Sequence, residues 1–225
     1  MRTKTRPIGL SSASFIEQSR RKQIVDAMIE AVAELGYAGI SLSKLAARAR
    51  ISKSIISYHF SGKNELIEET VHRIYAQISE SFRQRIFASP TAGGQLRAYL
   101  ESEFAYLENH RSQLLTVGNI LTNHRDRKGR LYLKEEAEKM SINVLGKILE
   151  AGQQSGEFRA FPIRPMAVTI HSAINGALGE WVNDPRMSLA AYAEELITIF
   201  DLATRKDSRS PGAKRTEPKK QKSLS

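Results

Sequence analysis

The sequence predicts an all-α protein, and three observations support this fold class. Apolar residues recur every three or four positions along most of the 225-residue chain, which is the spacing of amphipathic helices. Almost no segment alternates with a period of two, and runs of β-branched residues are absent. Hydrophobic residues make up 41% of the chain and charged residues 26%, so a core can form without disulfides or metal.

The N-terminal third is predicted to hold one long helix and two short ones. The long helix covers about 16–35 and ends at Gly36, which occupies the usual position of a C-terminal cap. Ser41 is placed to cap the first short helix, and Ser52 to cap the second, which covers 53–59. Two short helices joined by a turn and preceded by a supporting helix are typical of a helix-turn-helix, although a surface helical hairpin has the same pattern.

The rest of the chain is predicted to form a helical body. Its helices cover about 62–87, 94–109, 111–123, 131–154, 165–183 and 188–205. Pro90, the pair Gly93-Gly94 and Pro185 interrupt the chain around these segments. The helix at 165–183 is apolar nearly all round, which predicts burial on more than one side.

The residue inventory argues against several classes of protein. The chain has no cysteine, which excludes disulfides, thiolate metal sites and a cysteine nucleophile. Its five histidines lack metal-ligand spacing, and neither a glycine-rich phosphate loop nor an H-E-x-x-H motif is present. We therefore expect no metal or cofactor and disfavour an enzyme. No apolar run reaches the roughly 20 residues of a membrane span, and the N-terminus lacks a signal-peptide core, so the expected location is the cytoplasm.

The net charge of +10 is unevenly distributed. Residues 1–7 carry three bases, residues 8–63 carry eight bases and four acids, and residues 205–225 carry eight bases and two acids. Residues 64–204 carry fifteen bases and eighteen acids, so a basic N-terminal third precedes a mildly acidic body. This asymmetry favours a polyanion-binding end joined to a body with another role.

A specific motif lies between Arg21 and Leu66. It is formed by Gly36, Tyr37, Ser41, Leu45, Ala46, Ala49, Ile51, Ser52, Tyr58, His59, Phe60, Lys63, Glu65 and Leu66. These residues resemble the TetR family of transcriptional regulators, whose pattern runs from G-Y/F-x-x-T/S through A-x-x-A to V-S-x-x-x-x-Y-x-H/Y-F-x-x-K-x-x-L. The resemblance implies a homodimeric regulator, usually a repressor, that a small molecule releases from a palindromic operator in double-stranded DNA.

Three residues depart from the family pattern. Arg50 stands in the turn where glycine is usual, and a non-glycine residue in the left-handed conformation costs roughly 1 kcal/mol. We therefore predict a turn that is either slightly strained or differently shaped, with an added positive charge near DNA. Ile55 and Ser57 stand where threonine and tyrosine are common in the recognition helix.

The resemblance places the candidate DNA contacts on the two short helices and at the start of the next. They are Ser41, Ser43, Lys44, Arg50, Ser52, Lys53, Ser54, Ile55, Ser57, Tyr58, His59 and Lys63. Lys53, Tyr58 and Lys63 are expected to contact phosphates. The side chains at 54, 55 and 57 are expected to read base edges.

The resemblance also implies a pocket and a dimer interface in the body. The candidate pocket residues are Tyr99, Phe104, Asn119, Met140, Asn143, His171, Asn175 and Trp181, although aromatic residues at helical spacing also fit a core. The last two helices are expected to pair with their copies in a second subunit. The alternative is that both lie within the core of one monomer.

Four regions follow from these patterns. They are a disordered arm at 1–14, a helix-turn-helix domain at 15–63, a helical effector-binding and dimerisation domain at 64–206, and a disordered basic tail at 207–225. Three functions remain open at this point. They are a ligand-responsive repressor, a helical DNA-binding protein without an effector, and an all-helical enzyme.

Overall fold

A computed structural model of the chain describes residues 9–206, with side chains from Phe15 onward. Over this range the protein has nine α-helices and one short 3-10 helix at Tyr37–Gly39. The α-helices are α1 Gly9–Leu35, α2 Leu42–Ala49, α3 Lys53–His59, α4 Lys63–Ala88, α5 Ala92–Asn109, α6 Arg111–Asn123, α7 Tyr132–Ser155, α8 Ile163–Asn183 and α9 Leu189–Thr204. The predicted all-α fold class is confirmed.

The main departure from the predicted boundaries is at the N-terminus. Helix α1 begins at Gly9, inside the stretch of 1–14 for which disorder was predicted. After Pro7 the next proline in the chain is Pro90, so nothing in the sequence stops α1 from extending backwards once its later turns are packed. The predicted basic tail at 207–225 and the first part of the arm lie outside the described residues.

The first hydrophobic core, which we call the N-terminal core, joins α1, α2, α3 and the first half of α4. It is centred on side chains with no exposed surface, including Met28, Leu45, Ile56 and Ile67. It also contains Val117 and Ile120 from α6 and Leu133 from α7. The core of the helix-turn-helix is therefore completed by helices from the segment predicted as a separate effector domain.

The second hydrophobic core, the C-terminal core, joins α5, α7, α8 and α9 to the second half of α4. Leu100, Leu145 and Leu149 are almost fully buried in it. Helix α4 enters both cores, because Ile67, Val71 and Ile74 belong to the first whereas Phe82 and Ile86 belong to the second. A movement of α4 would therefore affect the packing of both halves of the molecule.

Candidate DNA-binding surface and ligand cavity

The helix-turn-helix is built from two serine caps and one left-handed residue. The Ser41 hydroxyl accepts from the Lys44 N–H at 3.2 Å and begins α2, and the Ser52 hydroxyl accepts from the Ile55 N–H at 3.3 Å and begins α3. Between the helices, Arg50 has φ 54° and ψ 42°, and it is the single non-glycine residue of positive φ in the described range. The predicted left-handed turn at Arg50 is confirmed.

Helix α3 presents one polar, exposed face. Lys53, Ser54, Ser57 and Tyr58 are exposed, and the Tyr58 side chain keeps 81% of its surface in solvent. The opposite side is anchored by Ile56, which has no exposed surface. A helix of seven residues that buries one apolar side chain and exposes donors is shaped to meet another surface through its polar face.

The neighbouring predicted contacts form the border of this face. The side chains of Ser41, Ser43, Lys44 and Arg50 are exposed, and the Lys44 ammonium donates to the Gly39 carbonyl at 2.9 Å. The hydroxyls of Ser52 and Ser54 share a hydrogen bond of 2.7 Å and are both exposed, whereas Ile55 is half-buried. These residues thus surround the exposed side of α3.

Lys63 has hydrogen-bond partners inside the protein, and His59 is partly covered by it. The Lys63 ammonium donates to the Ile40 carbonyl at 2.9 Å and lies 4.9 Å from the centre of the Tyr37 ring, and burial lowers the pKa of Lys63 below its usual value. His59 is half-buried with its ring edge-on to Tyr58. Lys63 therefore stabilises the shape of the helix-turn-helix, whereas the buried Nδ1 of His59 has no hydrogen-bond partner among the described residues.

Arg21 on α1 holds the end of α3, and sequence reasoning missed it. Its guanidinium donates to the His59 carbonyl, stacks 4.2 Å from the centre of the Phe60 ring, and pairs with Glu65 at 3.6 Å and Glu69 at 3.7 Å. A signal was available, because Arg21 falls on the same helical stripe as the buried side chains that follow it at intervals of three and four.

The helical body contains two adjoining cavities. The outer cavity, of about 350 Å³, lies between α4, α5 and α7. The inner cavity, of about 510 Å³, lies between α4, α5, α6, α7 and α8. Both volumes fall within the roughly 300–1,000 Å³ of small-molecule sites. Four residues line both cavities, namely Tyr75, Ile78, Glu103 and Ser141.

Half of the predicted pocket residues line these cavities. Tyr99 and Met140 line the outer cavity, whereas His171 and Asn175 line the inner one, where their side chains are hydrogen-bonded at 2.9 Å. Burial lowers the pKa of His171 below its usual value, which favours a neutral imidazole in this wall.

The other four predicted pocket residues do not line either cavity, and a ligand contact at them stays a prediction. Phe104 is buried in the C-terminal core, where its ring stacks on Tyr192, and Trp181 is buried there beneath the Arg111 guanidinium. These aromatic side chains fill the packing between helices. Asn119 bonds to the Leu115 carbonyl of its own helix, and Asn143 is exposed. Residue type alone did not reveal which face of each helix is turned toward the cavities.

Glu103 is the principal cavity residue that the prediction omitted. It lies in the wall common to both cavities, and burial raises the pKa of Glu103 to about 7, while a hydrogen bond with Tyr99 acts in the opposite direction. The signal in the sequence is its position in an apolar stripe, because it stands four residues after Tyr99 and four before Leu107. A charged residue in such a stripe indicates a special environment.

A chain of hydrogen bonds connects the helix-turn-helix to the body through His124. The Tyr37 hydroxyl lies 3.0 Å from His124 Nδ1, His124 Nε2 lies 3.1 Å from the Tyr132 hydroxyl, and that hydroxyl donates to Glu68. An ionised Glu68 only accepts, so the Tyr132 oxygen accepts from Nε2–H and Nδ1 accepts from Tyr37. Burial lowers the pKa of His124 below its usual value, which favours the neutral ring, and in the neutral ring with Nε2–H the Nδ1 atom accepts from Tyr37.

The described residues contain no group of three or more metal-ligating side chains that could hold an ion. Over 9–206, none of the helices is long and apolar enough to cross a membrane.

A capped helix-turn-helix with an exposed second helix, joined to a helical body with an internal cavity, defines the class of helix-turn-helix regulators. Residues 24–70 match the family model described as bacterial regulatory proteins of the tetR family. The matched residues include α2 and α3, so the helix-turn-helix of this chain resembles that of the TetR family.

Two of the proteins that are similar in sequence illustrate how far the likeness extends. The chain is 35% identical to the HTH-type transcriptional regulator BetI of Escherichia coli over 82 residues, which cover 36% of this chain and 42% of BetI. The match therefore spans less than half the length of that relative. The fatty acid metabolism regulator protein of Bacillus subtilis is 27% identical over 192 residues, which cover 82% of this chain and 96% of the relative.

Solved structures show the same architecture. FadR from Bacillus subtilis, in complex with stearoyl-CoA, superimposes with a TM-score of 0.69 at 27% identity, over 79% of this chain and 96% of FadR. SmeT, the repressor of a Stenotrophomonas maltophilia multidrug efflux pump, superimposes with a TM-score of 0.71 at 20% identity, over 88% of this chain and 96% of SmeT. At that identity the second likeness concerns the fold.

Proposed function

We propose that the protein is a homodimeric transcriptional repressor that binds operator DNA through α3 and leaves it when a small molecule enters the body. The observation that carries this proposal is the exposed polar face of α3, fixed by the caps at Ser41 and Ser52. Lys53 and Tyr58 contact phosphates, and Ser54 and Ser57 read base edges in the major groove. The protein acts in the cytoplasm, where bacterial operator DNA lies.

A dimer through α8 and α9 is supported by the surface that these helices leave uncovered. On α9, Ile199 and Leu202 keep 44% and 54% of their surface exposed. Gly176 and Gly179 have open space where a Cβ would stand, so a second helix can approach closely there. A second copy of α8 and α9 would cover these residues and place two α3 helices on one operator.

The effector is proposed to be an anionic amphiphile with a long apolar chain. The outer cavity is lined mainly by apolar side chains, and the exposed bases Arg83 and Lys147 stand in its wall. An apolar chain would occupy the cavity while these bases pair with a charged end group. The stearoyl-CoA bound by the Bacillus subtilis relative is a molecule of this kind.

The route from ligand to DNA runs through α4 and α6. Leu114, Val117 and Leu121 of α6 face the inner cavity, and Val117 also belongs to the N-terminal core. On the side facing α1, the Thr116 hydroxyl donates to the Ile29 carbonyl at 2.7 Å. A ligand that displaces α6 or α4 therefore shifts the support of the recognition helix. Coupling of this kind is typically worth 1–3 kcal/mol, or about 5–150-fold in affinity.

The test is a footprint of the purified protein on DNA that flanks its own gene, with and without stearoyl-CoA. We expect protection of an inverted repeat whose half-sites are about one helical turn apart, and loss of protection when stearoyl-CoA is added. Protection by a monomer of a single asymmetric site would contradict the dimer. Protection that no amphiphile alters would instead favour a DNA-binding protein without an effector.

A further inference from the structure

The zone where the two cavities meet is polar. We call it the polar waist and define it by Tyr75, Glu103 and Ser141, which line both cavities together with apolar Ile78, and by Tyr99 of the outer cavity, which is hydrogen-bonded to Glu103. In the outer cavity, the lining beyond the waist is apolar and includes Phe82, Ile86 and Ile148. The inner cavity continues beyond it with further apolar side chains, at 107, 114, 117 and 121. A chain that fills both cavities must therefore pass a carboxyl group part-way along its length.

A carboxyl group in this position is costly to leave without a partner from the ligand. Tyr99 supplies one hydrogen bond to Glu103, and an apolar chain offers none to the acceptor positions that remain. A buried polar group left without a partner costs about 1–3 kcal/mol. Burial already raises the pKa of Glu103 to about 7, and Glu103 in turn raises the pKa of Tyr75 and of Tyr99. A plain hydrocarbon chain is thus a poor match for the waist.

We propose that the polar waist is a hydrogen-bonding subsite that selects effectors carrying a hydroxyl group part-way along the apolar chain. This inference rests on the proposed function, since it names the chemical class of the same effector. A hydroxyl donates to the Glu103 carboxylate at an acceptor position that Tyr99 does not occupy, so the carboxylate keeps a partner when an apolar chain fills the cavities.

The charges at the cavity favour a neutral donor over a cationic one. Besides Glu103, the charged residues that line the outer cavity are Arg83 and Lys147, both of which repel a cation approaching the opening. In the inner cavity Glu138 is paired with Lys134 at 3.8 Å, and the histidine in that wall has a lowered pKa. A hydroxyl meets the carboxylate without bringing a positive charge past the two bases.

A matched pair of fatty acids tests the inference. Stearic acid and 12-hydroxystearic acid have the same length and end group and differ in one hydroxyl. Isothermal titration of the full chain should show that the hydroxy acid binds at least about tenfold more tightly, because a site that hydrogen-bonds a hydroxyl discriminates against the analogue without it.

Two variants and one control locate the preference. Glu103→Leu should remove it and leave stearic acid bound at least as tightly as before, whereas Glu103→Gln keeps an acceptor oxygen and should retain part of it. Glu108→Gln alters an exposed carboxylate on the same helix and should change neither affinity. Far-ultraviolet circular dichroism verifies that each variant is folded. If Glu103→Leu does not fold, Glu103→Gln still tests the inference.

Equal affinities of the wild type for stearic and 12-hydroxystearic acid would overturn the inference. It would also be overturned if folded Glu103→Leu kept the full preference for the hydroxy acid. If stearic acid binds and releases operator DNA without any preference for the hydroxy acid, the proposed repressor function stands while the waist is not a selective site. If neither acid binds, the inference fails together with the proposed effector class, and operator protection still tests DNA binding separately.

Discussion

The hydrogen-bond chain through His124 offers a sharp test of how the two halves are joined. Tyr37→Phe removes one hydroxyl and leaves the ring in place. His124, of which 2% is exposed, then keeps an Nδ1 acceptor without its donor. An intramolecular hydrogen bond contributes about 0.5–1.5 kcal/mol, and a buried group left without a partner costs about 1–3 kcal/mol. We therefore expect the free energy of unfolding to fall by about 1–2 kcal/mol at pH 7.5.

The pH dependence gives the prediction a second readout. An unfolded histidine takes up a proton near pH 6.5, whereas burial lowers the pKa of His124 in the folded state. Below about pH 6.5 the unfolded state binds more protons, so this residue makes the protein less stable as the pH falls, by at most about 1.4 kcal/mol per pH unit. Tyr37 donates to the neutral ring, so its removal raises the pKa of His124, and the difference between variant and wild type should shrink toward pH 5.5.

Urea denaturation followed by circular dichroism at pH 7.5 and 5.5 measures both effects. Tyr58→Phe is the control for stability, because its side chain is 81% exposed, and a change at such a site is usually within about 0.5 kcal/mol. A Tyr37→Phe variant as stable as the wild type at pH 7.5, or a destabilisation that grows toward pH 5.5, would refute the assigned direction of the hydrogen bonds.

Three further predictions concern single residues. Arg50→Gly should be about 1 kcal/mol more stable than Arg50→Ala, because both variants lose the charge and only glycine relieves the strain of the left-handed conformation. Equal stabilities of the two variants in thermal unfolding would contradict this strain. Lys53→Ala should lower the slope of log K against log salt in operator binding by about one. Lys63→Ala should leave that slope unchanged and reduce the stability of the fold, because the Lys63 ammonium donates to the Ile40 carbonyl. Because the pKa of Glu103 is raised, the folded state binds more protons than the unfolded state between about pH 4.5 and 7, and wild-type stability falls as the pH rises through that window. Glu103→Gln should flatten this decline in stability. An identical decline in the variant would show that Glu103 is solvated.

The helices could be predicted from the sequence because their signals are local. Apolar periodicity and the serine caps at 41 and 52 act within one or two turns, and the structure has helices where those signals place them. The left-handed residue at Arg50 was also predictable, because the turn requires a positive φ whatever side chain occupies it.

The lining of the cavities could not be predicted in the same way. Asn143 and Met140 are one turn apart on α7 and both are exposed, yet only Met140 lines the outer cavity. Which exposed side chain borders the cavity depends on how α7 packs against α4 and α5, and helical periodicity alone does not reveal this. The role of Lys63 depended on the 3-10 turn at Tyr37–Gly39, which the sequence did not predict and whose carbonyls the ammonium binds. The contacts at the predicted DNA-binding residues remain predictions.

The completion of the N-terminal core by α6 bears on how this protein could be recombined with others. A designer who grafts residues 15–63 onto a foreign sensor would leave the apolar surface that faces Val117 and Ile120 open to water. Such a hybrid would bind its DNA poorly and aggregate unless the new partner offered a matching helix. A hybrid should therefore keep α6 together with the helix-turn-helix. A crossover point at the end of α3 would separate residues that share one core.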